Sequence, residues 1–323
     1  MDPALRLRLM TEADLAFADG LRGIVGWNQT LKDWQRLLGY EPQGCFIAEW
    51  SGSPVGTATT TRYGTELAWI GMLLVHPDCR GRGVGRALLE HCLTSLKGTP
   101  CIKLDATPLG KMLYDKLGFE VEWPLTRWEC KYFMEPPAAL LTEAGRGHPR
   151  NPANESIEGL AQDAAPRASE TSRIAHHASR TLKPLDASLA AQLGRLDSHA
   201  FGISRAAMLE RLVAGSSRAL VAISEGGELD GYGLLREGAK ASYLGPVVAD
   251  LSAGGTALVN ALLSHAKGRP IYWDVPDVNA AATGLAKELG FSPQRHLIRM
   301  YLGANKHPGN PAQCFAIADP SIG

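Results

Sequence analysis

One stretch of eight residues, Arg80-Gly81-Arg82-Gly83-Val84-Gly85-Arg86-Ala87, limits what this chain can fold into more than any other. It stands between a nine-residue apolar run, Leu67 to Val75, and a segment in which Val84, Leu88, Cys92 and Leu96 recur at helical spacing. The apolar run reads as a central strand, because it is nearly unbroken on both faces. Glycine permits positive φ and a close approach of the backbone to a ligand. A helix that starts there presents free N–H groups, and its dipole favours anions. Arg80, Arg82 and Arg86 add positive charge. Strand, turn and helix together read as a pyrophosphate cradle. It is not a P-loop, since the Gly-Lys-Ser/Thr ending is missing. It is not a dinucleotide-binding turn either, since the glycine spacing differs and antiparallel strand signals precede it.

The cradle lies inside a unit that spans residues 1–134. Leu5, Leu7 and Leu9 alternate with Arg6 and Arg8, a strand pattern. Thr11 with Asp14, and Thr30 with Asp33, have capping-box spacing at two helix starts. Cys45 to Trp50 and Val55 to Arg62 form a hairpin through Ser51-Gly52-Ser53. A short strand, Cys101 to Asp105, and a short helix, Leu109 to Leu117, follow the cradle helix, and Gly118 closes the second. Phe119 to Trp123 and Trp128 to Phe133 are predicted as two final strands.

Residues 135–180 differ in composition. They hold Pro136, Pro137, Pro149, Pro152 and Pro166 and no aromatic residue, which predicts a flexible linker. His176 and His177 lie there without a third metal ligand and read as surface histidines. From residue 181 the order of elements repeats, and Leu289-Gly290-Phe291 matches Leu117-Gly118-Phe119. Phe315 and Ile317 suggest one added strand near the end. A length of 323 residues suits two domains. Lys+Arg and Asp+Glu are both 33, so no charge excess points to nucleic acid. The six cysteines form no C-x-x-C pair, so no metal is expected. The longest apolar run is nine residues, against about 20 for a membrane helix. With no apolar leader at residue 1, a cytoplasmic location and reduced thiols are expected.

Arg80-x-x-Gly83-x-Gly85 after a strand resembles the Q/R-x-x-G-x-G/A acetyl-CoA motif of the GNAT N-acetyltransferase superfamily. Leu113-Tyr114-Asp115-Lys116-Leu117-Gly118-Phe119 looks like that superfamily's LYxKLGF segment. The likeness covers the chain as two tandem GNAT-like domains, an active-like one over 1–134 and a degenerate one over 181–323, joined by the 135–180 linker. It implies an α/β fold of the α+β kind, each domain a mixed, mostly antiparallel sheet flanked by helices. It also implies acetyl-CoA or another acyl-CoA as co-substrate. By the same likeness, Leu73, Leu74 and Val75 offer backbone groups to the pantetheine arm, one N–H polarising the thioester carbonyl. Arg80, Gly81, Arg82, Gly83, Val84, Gly85, Arg86 and Ala87 hold the pyrophosphate. Tyr114 matches the tyrosine that protonates the departing thiolate in many members.

Two positions depart from the family pattern. Thr107 stands where many members carry Asn, and its hydroxyl is expected to hydrogen-bond in the same cofactor region. Trp69 stands where some carry a catalytic Glu. The base must then come from Glu66, Asp105 or a water chain. Trp27, Asn28, Trp69, Trp123 and Arg127 are the expected acceptor contacts, aromatic walls with a few polar groups. In the second half, Asp250-x-x-Ala253-x-Gly255 replaces the cradle motif and Ala286 replaces Tyr114, although Asn279 keeps the family's Asn. One acyl-CoA site per chain is therefore expected. Asp197, Gly202 and Arg205 are placed to face the acceptor pocket, with a structural salt bridge as the alternative for the charged pair Asp197 and Arg205. The expected reaction is acyl transfer to a primary amine of a small molecule, amino-acid-, polyamine- or amino-sugar-like, by direct attack in a ternary complex. The alternatives are a protein or peptide N-acetyltransferase and a non-catalytic acyl-CoA-binding regulator. No nucleic-acid or membrane partner is expected, and a homodimer stays open.

Overall fold

The computed structural model describes residues 4–133, 180–266 and 268–323, so the expected linker, with His176 and His177, falls outside the described residues. Strand β1 (Leu5–Leu9) leads into the Thr11–Asp14 box, where the Thr11 N–H donates to Asp14 at 2.8 Å. Helix α1 (Leu15–Ile24) follows. Thr30 and Asp33 form the second box and start α2 (Leu31–Tyr40). Both boxes satisfy amides that a helix start leaves open. Strands β2 (Cys45–Trp50), β3 (Ser53–Tyr63) and β4 (Leu67–Val75) form a meander. Then come α3 (Val84–Ser95), β5 (Cys101–Ala106), α4 (Pro108–Asp115) and β6 (Glu120–Cys130).

The second half repeats this order. It runs β7 (Thr181–Pro184), α5 (Ala190–Phe201), α6 (Ala206–Ala214), β8 (Arg218–Ile223), β9 (Leu229–Arg236) and β10 (Ser242–Ala249). It continues with α7 (Ser252–Ser264), β11 (Ile271–Pro276), α8 (Ala280–Glu288), β12 (Ser292–Gly303) and a short β13 (Cys314–Ala316).

The two expected final strands of the first half are one strand, β6, which runs straight through Pro124. A proline in extended conformation keeps its carbonyl for pairing, and this one accepts from the Asp277 N–H at 3.0 Å. Strand β6 does not return to its own half. It lies between β11 and β12, both antiparallel to it. Strand β12 in turn lies between β5 and β6. Each half thus lends one late strand, β6 or β12, to the other, and a single sheet runs β1-β2-β3-β4-β5-β12-β6-β11-β10-β9-β8-β7, with β13 beside β10. Every neighbouring pair is antiparallel except β4–β5 and β10–β11, which occupy equivalent places in the two halves. The described residues belong to one compact unit.

Buried charges bridge the exchanged strands. Arg127 on β6 binds Asp274 on β11 through Nε and Nη2, at 2.7 and 2.5 Å. Arg299 on β12 binds Asp105 on β5 through the same two atoms, both at 2.9 Å. Each arginine stands eight residues past the Phe of its Leu-Gly-Phe triplet, so the repeat places the same pair twice. Lys103 and Glu122 add a third buried pair at 2.7 Å. Met300 of the second half fills the core between α3, α4 and β5 with Leu88, Leu104 and Phe119. On the opposite face, α1 and α2 pack with Trp69, Phe201, Met208 and Ile322, again from both halves.

Asp274→Asn leaves the Arg127 guanidinium buried with no counter-charge and one acceptor oxygen fewer, and a broken buried pair costs about 3–5 kcal/mol. The urea midpoint of the full chain should fall accordingly, and the apolar double replacement Arg127→Met, Asp274→Leu should recover most of the loss. An unchanged midpoint for Asp274→Asn would show that the pair does not hold the exchange.

Candidate active site

Strand β4 pairs with β5 only over Leu67, Ala68 and Trp69; beyond Trp69 the two part. Met72 causes the bend. Its φ is 48°, unusual for a residue with a side chain, and the β3–β4 register slips beside it. The Thr57 hydroxyl donates to the Met72 carbonyl at 2.8 Å and fixes the bulge. The β5-facing edge of β4 from Ile70 to Val75 is left for something other than protein. A cleft of about 520 Å³ opens there through the sheet.

The glycine loop forms the wall on the α3 side. Gly81 has φ 76° and Gly83, which caps α3, has φ 80°, so both need glycine. A Cβ on either would meet no protein atom. The amides of residues 81–86 have no backbone acceptor among the described residues, since the first bond of the turn is Ala87 N–H to Gly83. Arg80, anchored to the Val75 carbonyl at 3.3 Å, and Arg86, held by Glu90 at 2.7 Å, line the cleft. Arg82 does not; it stacks over the Trp50 ring at 5.6 Å. Ala87 also faces away, into the core under α3. Leu73, Leu74, Val75, Gly81, Gly83, Val84 and Gly85 all line the cleft. The open loop, free amides and two cations fit a pyrophosphate.

Thr107 and Tyr114 line the same cleft. The Thr107 hydroxyl accepts from the Gly110 N–H at 3.1 Å and caps α4. Asn279 does the same for α8, accepting from Ala282 at 2.9 Å, so Thr and Asn are equivalent caps at this position. Tyr114 packs on Phe119 and its hydroxyl has no hydrogen-bond partner among the described residues. Burial, with a smaller push from Cys92, drives its pKa up to about 12, so it stays protonated.

Neither expected carboxylate base is free at the cleft. Asp105 borders it, but both its oxygens are bound by Arg299 and the side chain is fully buried. Glu66 sits in the turn before β4, about four strand residues from the lining, and is not part of the cleft.

The wall opposite α3 departs most from expectation. Of the expected acceptor contacts, only Trp27 lines the cleft. Asn28 instead grips the second half, donating to the Ala241 carbonyl at 3.0 Å and accepting from the Lys240 and Ala241 amides at 2.9 Å. Trp69 is buried and donates to the Pro320 carbonyl at 3.1 Å. Trp123 stacks on Arg299, and Arg127 is spent on Asp274. In their place stand Gln29, Arg295, Leu297, Pro320 and Ser321. Four of these five come from the second half, brought over by β12 and by segment 317–323. That segment is pinned by Tyr63 to Ile322 at 2.7 Å and by Ser321 lying against Gly71, where a Cβ would be 2.2 Å from the Ser321 carbonyl. No pattern local to residues 292–323 marks them as site residues; only the strand exchange does.

The equivalent place in the second half is filled by the chain itself. Strand β13 takes the edge of β10 at Val247 and Val248. The Phe315 ring lies 2.3 Å from where a Cβ on Gly255 would stand. Asp250 holds Gln313 at 2.7 Å. Asp197 and Arg205 form a buried bidentate salt bridge, both bonds 2.9 Å, and Arg205 also holds the Gly323 carbonyl, so the pair is structural.

A strand bulge over a glycine-arginine loop at a helix start, repeated once in degenerate form, defines a tandem acyltransferase fold. The comparisons agree. Residues 16–119 match the acetyltransferase (GNAT) family and residues 193–316 match an acetyltransferase (GNAT) domain. The chain is 32% identical over 101 residues, 30% of its length, to the acetyltransferase SG1711 of Sodalis glossinidius, covering 70% of that protein. It is 23% identical over 233 residues to the uncharacterized N-acetyltransferase YitH of Bacillus subtilis, covering 70% of this chain and 66% of that one. It is 24% identical over 303 residues to a holothin acyltransferase of a Pseudoalteromonas species, covering 92% and 87%. A crystal structure of a putative acetyltransferase from Pyrococcus horikoshii superposes with a TM-score of 0.74 at 21% identity, over 100% of this chain and 97% of that one. The chain belongs to the GNAT acetyltransferase family and is a tandem-domain N-acyltransferase. That family uses acyl-CoA, and the loop at 80–86 has the open space, amides and cations to hold its pyrophosphate.

Calorimetric titration of the full chain with acetyl-CoA should give one site per chain, and the double variant Gly83→Glu, Gly85→Glu should give none. A stoichiometry of two would show that β13 yields its place to ligand.

Proposed function

We propose that this protein transfers an acetyl group, or another short acyl group, from acyl-CoA to the primary amine of a small molecule. The observation that carries the reading is the narrowing of the acceptor side. Segment 317–323 and the loop between α1 and α2 pack over the face of the sheet opposite α3 and narrow the cleft on that side. A protein or peptide chain needs a trough along the surface; a small amine does not.

Acyl-CoA supplies the activated acyl carbon. The residues around the cleft supply position and charge. A backbone N–H among Leu73, Leu74 and Val75 can donate to the oxygen that becomes negative as the amine adds, and such donors are worth about 10²–10³ in rate. The Tyr114 hydroxyl holds its proton on the α3 side, where it can pass to the departing sulfur. The amine must lose a proton as well. With Asp105 bound to Arg299 and Glu66 outside the cleft, a water chain is the remaining route of those the sequence offers.

Tyr114→Phe should lower kcat by about 10²–10⁴-fold while acetyl-CoA affinity changes little. Steady-state kinetics with calorimetry separates the two effects. Unchanged kcat would remove Tyr114 from the proton path.

A further inference from the structure

Around the acceptor side of the cleft, clustered arginines outnumber aspartates by one. Arg36, Arg127, Arg236 and Arg295 stand within electrostatic reach of Asp33, Asp274 and Asp319. Three of the four arginines have partners. Arg127 takes both oxygens of Asp274, and the Tyr243 hydroxyl donates to the same carboxylate at 2.8 Å. Arg36 binds Asp33. Arg236 lies 3.8 Å from Asp33 and donates to the carbonyls of Gly245 and Ala318. Asp319 is occupied by Gln29 at 3.1 Å and by the Ser321 amide at 2.8 Å.

Arg295 is left over. It makes no hydrogen bond or ion pair with any described residue, and its Nε is buried without an acceptor. Burial and the neighbouring Arg127 push its pKa down to about 10, against the opposite pull of Asp274 and Asp319. Its place is also defined. Along β12, Ile298 and Met300 pack toward α3 and α4, whereas Leu297 packs with Trp123 and Ile317 on the other face. Arg295 shares the face of Leu297 by strand alternation, and it lines the cleft with Trp27, Gln29 and Ser321. This is the acceptor wall, across the sheet from the pyrophosphate loop.

We propose that Arg295 anchors an anionic group of the acceptor, a carboxylate, so that the acceptor amine is an amino acid or a compound of that kind. The inference rests on the small-molecule reading above. The excess is a single charge, which a monoanion balances. A carboxylate is the planar monoanion that matches the guanidinium fork with two parallel hydrogen bonds. A polyamine would bring further positive charge to a wall that already has too much. The group is supplied by β12, so the second half would select the substrate for chemistry performed on the first.

The test uses the full chain with acetyl-CoA and a panel of paired acceptors, each α-amino acid beside its descarboxy amine. The wild type should acetylate the amino acid of the best pair with kcat/KM at least about tenfold above its partner. Arg295→Gln should bring the two members within about threefold, through the KM of the amino acid, and Arg295→Lys should keep part of the gap. The acetyl-CoA affinity should not move. Pairs acetylated alike by the wild type, a preference that survives Arg295→Gln, or a loss of acetyl-CoA affinity instead would each overturn the proposal. If no amine of either kind is acetylated, the small-molecule reading has failed. Arg295 is then decided by calorimetry of the same amino acids on the CoA-loaded chain: binding lost in Arg295→Gln supports the anchor, and no binding to the wild type overturns it.

Discussion

Two buried arginine–aspartate pairs, Arg127 with Asp274 and Arg299 with Asp105, set the geometry on which the rest of this protein depends. Each joins a strand of one half to a strand of the other. An ion pair taken out of water gives little net stability, but a mispaired one is heavily penalised. That asymmetry specifies register. It fixes the register of β6 against β11 and of β12 against β5. The apolar packing follows the same route, with Met300 in the core beside α3 and Trp128 in the core beside α7.

The crossing gives two similar halves different tasks. In the first, the bulge at Met72 frees one edge of β4, and the loop at 80–86 leaves its amides open. In the second, β13 pairs with the corresponding edge and Phe315 occupies the space beside Gly255. The second half then contributes the wall of the first half's cleft, through Arg295, Leu297, Pro320 and Ser321. Loss of a site and gain of a wall come from the same segment: residues 314–316 close one opening, and Pro320 and Ser321 line the other.

The sequence was most legible where the governing interaction is local. Both Thr-x-x-Asp boxes, the Ser51-Gly52 hairpin turn and the positive-φ glycines at 81, 83 and 118 follow from neighbours within a few residues. It was least legible where the partner is far along the chain. The stretch between Trp123 and Trp128 reads as a gap between two strands, but pairing with β12 on one side and with β11 and Asp277 on the other keeps it extended. Arg127, Trp123 and Asn28 have the residue types of an acceptor site, yet each packs on or bonds to the other half. Asp105 looked like a free base because Arg299, 194 residues away, gives no local sign of itself. Arg295 was missed for the same reason: its importance lies in having no partner, which only the full set of contacts shows.

The most direct test of this account is a crystal structure of the full chain with CoA and an amino acid. The account predicts the pyrophosphate on the amides of residues 81–86, the pantetheine arm along Leu73 to Val75, and the amino-acid carboxylate on the Arg295 guanidinium, with β13 still beside β10. CoA lying along β10 with Phe315 displaced, or an acceptor that leaves Arg295 untouched, would contradict it.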